Sequence, residues 1–216
     1  MVKQIPILMQ SDMVRAILNG SKTETRRPID RLNGFGRITE FHVSTTGGYD
    51  WEFRDERMLW NSISNSRLFE SCPWGVPNAA ELYVREKWSN PIDTAPDVYL
   101  YYADYPDCVP AGYENVPRIG DVEWKPSIHM PKPARRIHLP IEEIEVRRLQ
   151  DMSEQDALAE GFTSTAVLNE AKDDYTGLYA SDQFPDAWDS IYESKGYGWD
   201  KNPYVWVIRW GKAVIK

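Results

Sequence analysis

Residues 204–210 read Tyr-Val-Trp-Val-Ile-Arg-Trp, and they constrain the fold more than any other stretch. At the two-residue period of a strand, Tyr204, Trp206, Ile208 and Trp210 share one face while Val205, Val207 and Arg209 share the other. Both faces are largely apolar, so the segment is predicted to be a central strand. Residues 4–9 form a short apolar strand in which Pro6 marks an edge or a strand start. Leu82, Val84, Glu86 and Trp88 alternate with Tyr83, Arg85 and Lys87 as a further strand, and residues 97–103 read as another. Residues 135–149 make a long strand bent at Pro140.

Three helices punctuate these strands. The first covers 12–19, with Met13, Val14, Ile17 and Leu18 as its apolar stripe, Ser11 or Asp12 as its cap and Gly20 as its left-handed stop. The second covers 153–160, where Ser153 and Asp156 have capping-box spacing and Gly161 ends the helix. The third is predicted over 185–194, starting at Pro185-Asp186, with Trp188, Ile191 and Tyr192 on one face. Phe41 and Val43, then Tyr49, Trp51 and Phe53, alternate around Thr46-Gly47-Gly48 and predict a hairpin. It lies within residues 30–71, read as an insertion or lid; residues 163–183 form a second, polar excursion. At 216 residues the chain is expected to be one domain over 1–216 carrying these insertions.

The formal net charge of −8 excludes a protein that coats a polyanion, so any nucleic-acid contact must be local. The exception to the acidic balance is residues 20–37, where Lys22, Arg26, Arg27, Arg31 and Arg37 outnumber Glu24 and Asp30. Cys72 and Cys108 lack metal-type spacing and read as free thiols, and His42, His129 and His138 lie far apart. Neither a metal nor another cofactor is expected. There is no secretory signal and no apolar run of spanning length, so the expectation is a cytoplasmic protein without membrane contact.

The chemistry-bearing stretch is residues 20–27, Gly-Ser-Lys-Thr-Glu-Thr-Arg-Arg. Lys22 and Thr25 would face opposite sides of a straight strand, but a helix-to-strand turn can bring them to one point. A lysine beside a hydroxyl can bind an anion or a carbonyl oxygen, or activate a nucleophile if the amine is neutral; an exposed polar loop is the plainer reading. Glu86 shares a strand face with three apolar residues, so either Arg26, Arg27 or Lys22 pairs with it or it lies solvated at a strand end. Residues 124–131, with Ser127 and His129 between two prolines, could floor or cover a cleft, or serve as an edge connection. Glu160 falls in the last turn of its helix, facing the negative end of the dipole at a cost of roughly 0.3–1 kcal/mol. That placement suggests either function or solvent exposure.

In this order of elements the chain resembles the ASCH domain group. Gly20, Lys22, Thr25 and Arg27 fit that family's Gly-x-Lys-x-x-Thr-x-Arg pattern, and 84–88, 153–161 and 206–208 also match. It looks most like the larger ASCH proteins of bacteriophages, which would put it in the host cytoplasm. Where related sequences have Gly-Asp before the strand bearing Glu86, this chain has Asn78-Ala79-Ala80-Glu81. The resemblance implies an α+β, PUA-like fold: a small, largely antiparallel β-barrel of five or six strands with flanking helices and both chain ends in one sheet. It also implies recognition of RNA or a modified nucleoside. One branch of the family hydrolyses the amide of N4-acetylcytidine with a Lys, a Thr and a Glu, which fall on Lys22, Thr25 and Glu160 as catalytic residues. Arg26, Arg27, Glu86, Trp88, Ser127 and His129 are then the expected substrate-binding residues. A module that binds RNA or a modified base without catalysis, or a ribonuclease, is the alternative.

Overall fold

A computed structural model of the chain describes residues 2–90, 98–113, 115–165, 167–169 and 174–216. β1 (Lys3–Leu8) leads into α1 (Ser11–Leu18) and then β2 (Glu24–Pro28). β3 (Arg31–Leu32), β4 (Gly36–Val43), β5 (Trp51–Asp55) and β6 (Trp60–Ile63) follow as an antiparallel meander, closed by α2 (Asn65–Glu70). β7 (Ala80–Arg85), β8 (Trp88–Ser89), β9 (Leu100–Tyr101) and β10 (Ile137–Arg148) come next. α3 (Glu154–Ala159), the hairpin β11 (Val167–Asn169) and β12 (Asp174–Thr176), α4 (Ala180–Tyr192), β13 (Tyr204–Trp210) and β14 (Val214–Ile215) complete the chain.

The main sheet runs β1-β7-β10-β13-β2, with β14 also paired to β10, so both chain ends lie in it. Every pairing is antiparallel except β1 with β7, which are parallel. β10 makes the sheet curl. Residues 138–140 pair with β7, residues 141–148 pair with β13, and the register shifts between Ile141 and Glu143. Pro140 sits at the crossover, where its missing N–H removes a ladder donor and a bulge bends the strand. The result is a mixed α+β fold around half a barrel.

β13 is central, as its two apolar faces require. Trp206, Ile208 and Trp210 enter the main core with Ile7, Leu82, Leu139 and Phe53. Val205 and Val207 pack on the other side against Leu149, Phe184 and Trp188. The meander belongs to this architecture rather than standing over it, because Leu32, Ile38, Phe53, Ile63 and Leu68 are buried in the same main core. Its hairpin pairs Phe41 with Phe53 and Val43 with Trp51.

Several boundaries differ from the sequence reading. α1 is preceded by Gln10 with no side-chain cap, so neither Ser11 nor Asp12 closes its start. β7 ends at Arg85, and Trp88 belongs to the separate β8–β9 pair. The strand predicted over 97–103 shrinks to β9 followed by a single 3-10 turn, Tyr102–Asp104; Asp97 lies outside the described residues. α4 begins five residues before Pro185, which therefore sits inside the helix. Its early start is held by two carboxylates: Asp182 accepts the N–H of Tyr179 at 3.0 Å, and Glu154, the first residue of α3, accepts the N–H of Ala180 at 2.9 Å and of Ser181 at 2.8 Å. Of the excursion predicted over 163–183, residues 166 and 170–173 lie outside the described residues. At the turn that departs from the family pattern, Asn78 takes the left-handed conformation, φ 59°, that asparagine tolerates better than most side chains. Cys72 and Cys108 are free thiols, and burial pushes the Cys72 thiol up to about 12. Among the described residues no helix is long and apolar enough to cross a membrane.

Candidate active site

β1 and β2 are the two edges of the curled sheet, and Arg27 bridges the gap between them by donating from Nη2 to the carbonyl of Leu8 at 3.3 Å. A cavity of about 610 Å³ opens there, within the range of small-molecule sites. Residues 6–10 line one side, Lys22, Thr25, Arg26, Arg27 and Glu160 another, and Phe162, Phe184, Trp188 and Tyr192 a third.

Lys22 is 2% exposed. Its backbone N–H bonds to Ala16, at the last turn of α1, while the next N–H, of Thr23, bonds to Ala159 at the end of α3. The loop is thus tied to both helices. The Lys22 ammonium donates to the carbonyls of Glu24 at 2.8 Å and Glu160 at 2.7 Å, and to Glu160 Oε2 at 2.6 Å. All three of its protons are engaged. Burial pulls the Lys22 pKa below its ordinary value, opposed by the Glu160 carboxylate. Glu160 is itself buried, and its Oε1 accepts the Arg26 backbone N–H at 2.6 Å. Gly161 lets α3 end this close to Lys22. Its φ is +95°, and a Cβ there would lie 2.8 Å from Ala16 Cβ and 3.1 Å from Lys22 Cβ.

β2 alternates two chemistries. Thr25 and Arg27 stand opposite Ile208 and Trp206, whereas Glu24 and Arg26 stand opposite Arg209 and Val207. On the first face Arg27 Nη1 donates to the Thr25 hydroxyl at 2.8 Å. Arg27, not Lys22, is therefore the group in contact with the candidate nucleophile. On the second face the Arg26 guanidinium pairs with Glu24 and, at 3.2 Å, with Asp156; Glu24 also takes Arg209 Nε at 2.6 Å. Arg26 is 1% exposed and locked in this network, so it forms wall rather than reaching for a ligand.

The remaining predicted residues divide. Ser127 lines the cavity from the turn Ser127–His129, but His129 is exposed and does not. Glu86 is buried just past the end of β7, as its face predicts, yet its partner is neither Arg26, Arg27 nor Lys22. Arg136 holds it with two bonds of 2.9 Å and also pairs with Asp104, and none of the three lines the cavity. Trp88 is packed with Met130 and Ala134 in a small cluster of its own. None of residues 30–71 lines the cavity, so the meander is not its lid.

Two contributors escaped the sequence reading. One is the aromatic wall, although Trp188, Ile191 and Tyr192 were legible as one helix face. The other is the cationic pair Arg85 and Lys195, which come from the end of β7 and from the turn after α4. Among the lining residues five cations face a single carboxylate, Glu160. Burial pushes the Tyr192 phenol up, with the neighbouring Arg27 opposing it. Among the described residues no group of three or more His, Cys, Asp and Glu side chains could hold a metal ion. In comparisons with family models, curated proteins and solved structures, nothing matches this chain.

Proposed function

We propose that the chain is an ASCH-type protein of PUA-like fold that hydrolyses the amide of an N4-acylated cytidine or a similar acylated nucleoside. The observation that carries this reading is the meeting of Lys22, Thr25, Glu160 and Arg27 at one aromatic-walled cavity. Aromatic rings stack on bases, and the polar groups sit together at one side.

The chemistry starts from the Lys22–Glu160 contact. Moving one proton from Nζ to Oε2 across 2.6 Å leaves a neutral amine beside a neutral acid. The burial that lowers the Lys22 pKa favours that state. The neutral amine takes the Thr25 hydroxyl proton as Oγ1 attacks the acyl carbon. Arg27, already donating to Oγ1, stabilises the negative charge that develops. Glu160 then protonates the leaving amine as the C–N bond breaks, which restores the ammonium–carboxylate pair. Water attacks the Thr25 ester and returns a proton to Oγ1, releasing the carboxylic acid.

A second reading, a module that binds the nucleoside without catalysis, is favoured by one feature. In the resting arrangement Lys22 has no proton-free lone pair and no hydrogen bond to Thr25. The test is incubation with N4-acetylcytidine, following cytidine release for wild type, Lys22→Ala and Thr25→Ala. Release by wild type and a loss of at least a hundredfold in both variants is the expected result. Binding without release assigns the second reading; release that survives both substitutions removes the proposed chemistry.

A further inference from the structure

We infer that the cavity's ligand carries a phosphate and is a nucleoside monophosphate rather than a bare nucleoside. This rests on the nucleoside reading for the base and sugar, and on the cavity's charges for the phosphate. Among the described residues Arg27, Arg85 and Lys195 form no ion pair with a carboxylate. On a chain of net charge −8 that carries many more acids than this cavity shows, three uncompensated cations around one opening are a local inversion. The Glu160 carboxylate does not offset them, because it is already paired with Lys22.

The geometry brings two of the cations together. Arg27 reaches the carbonyl of Leu8, and Leu8 stands in register with Arg85 across the parallel β1–β7 pair. Arg85 in turn donates to the carbonyls of Ile128 and Met130, contacts that fix its direction without neutralising it. Lys195 comes from the opposite wall, its ammonium 5.0 Å from the centre of the Tyr192 ring. Planar guanidinium donors suit phosphate oxygens, and a mobile ammonium adds charge. The negative charge of the rest of the chain repels a long polyanion, so the phosphate belongs to a mononucleotide.

The experiment is calorimetric titration with cytidine, cytidine 5′-monophosphate and a tetracytidylate, for wild type, Arg85→Met and Lys195→Met. The expected result is at least tenfold tighter binding of the monophosphate than of cytidine. That ratio falls to threefold or less in Lys195→Met and in Arg85→Met, and the tetranucleotide binds no tighter than the monophosphate. Lys195 is exposed, so its variant tests the point even where Arg85→Met perturbs the turn it holds. Equal affinity for cytidine and its monophosphate overturns the inference, as does a ratio unchanged in both variants or a clear preference for the tetranucleotide. A phosphate preference without N4-acetylcytidine hydrolysis keeps the inference and removes the hydrolase. Hydrolysis of N4-acetylcytidine with no phosphate preference does the reverse, and no binding of any of the three removes both.

Discussion

Gly20 and Gly161 form a matched pair for a substitution experiment on the site's support. Both are left-handed, with φ of +81° and +95°, and both follow a helix. They differ in their surroundings: a Cβ on Gly20 meets nothing within 4 Å, whereas on Gly161 it meets Ala16 Cβ at 2.8 Å and Lys22 Cβ at 3.1 Å. Gly20→Ala therefore costs only the left-handed conformation, about 1–2 kcal/mol. Gly161→Ala costs that plus the strain of overpacking, about 1–3 kcal/mol more, for a total of about 2–5 kcal/mol. With a urea m-value of about 3 kcal/mol/M, the midpoint falls by about 0.3–0.7 M for Gly20→Ala and by about 0.7–1.7 M for Gly161→Ala. Because Lys22 is one of the two crowded side chains, beside Ala16, Gly161→Ala also disturbs the Lys22–Glu160 contact and, on the proposed hydrolysis, lowers N4-acetylcytidine turnover more than Gly20→Ala does. Equal midpoint shifts for the two variants would refute the claim that Gly161 is required by the close approach.

Arg136→Met strands the buried Glu86 carboxylate and lowers stability by roughly 3–5 kcal/mol in denaturant titration; cytidine affinity of the folded protein is unchanged, and a weakened Kd would return Glu86 and its partner to the site. Burial pushes the Glu154 and Asp156 carboxyls up, but backbone N–H bonds, from Ser181 and Ala180 and from Ser153 respectively, with Arg26 adding at Asp156, outweigh it and hold them below their ordinary 4.5 and 3.8. The folded state thus binds their protons less readily than the unfolded chain, so their contribution is complete above about pH 4.5. It is lost as pH falls through the folded values. Melting temperature against pH should show that decline, and Glu154→Gln should flatten it. In the proposed step Lys22 and Glu160 share one proton, so kcat/KM for the hydrolysis falls once pH passes the Lys22 value, which burial sets below the ordinary 10.5, because the pair then has no acid for the leaving amine; activity that keeps rising through 10.5 contradicts the shared-proton step.

The parts of the fold that were legible in sequence are those whose causes are local. β13 announces itself through unbroken apolar alternation, and α3 through Ser153 and Asp156, whose reciprocal bonds measure 3.1 and 3.0 Å. The start of α4 was not legible, because Pro185 mimics a helix start while two of the first amides are held by Glu154, from a different helix. Glu86 shows the same limit at the site. Its strand face demanded a cation, but the choice of Arg136, fifty residues away, follows from β10 lying beside β7. Lys22 and Thr25 are marked by the loop after one helix and Glu160 by the end of another, but it is the resemblance to the ASCH group that implies they act as one set. Arg85 and Lys195 carried no local mark, since only the folding of the sheet's two edges towards each other brings them to the same opening.

The Glu154 clasp has a mechanical consequence. Glu160 caps the C-terminus of α3, and α4 carries Phe184, Trp188 and Tyr192 along the cavity. By accepting the first two amides of α4, Glu154 ties the two helices together, so that the carboxylate and the aromatic wall share one support. The other flank is built differently, from the short turn Ser127–His129, to which Arg85 donates at the carbonyl of Ile128. One side of the cavity thus rests on two helices tied to each other, the other on a single turn tied to one strand end.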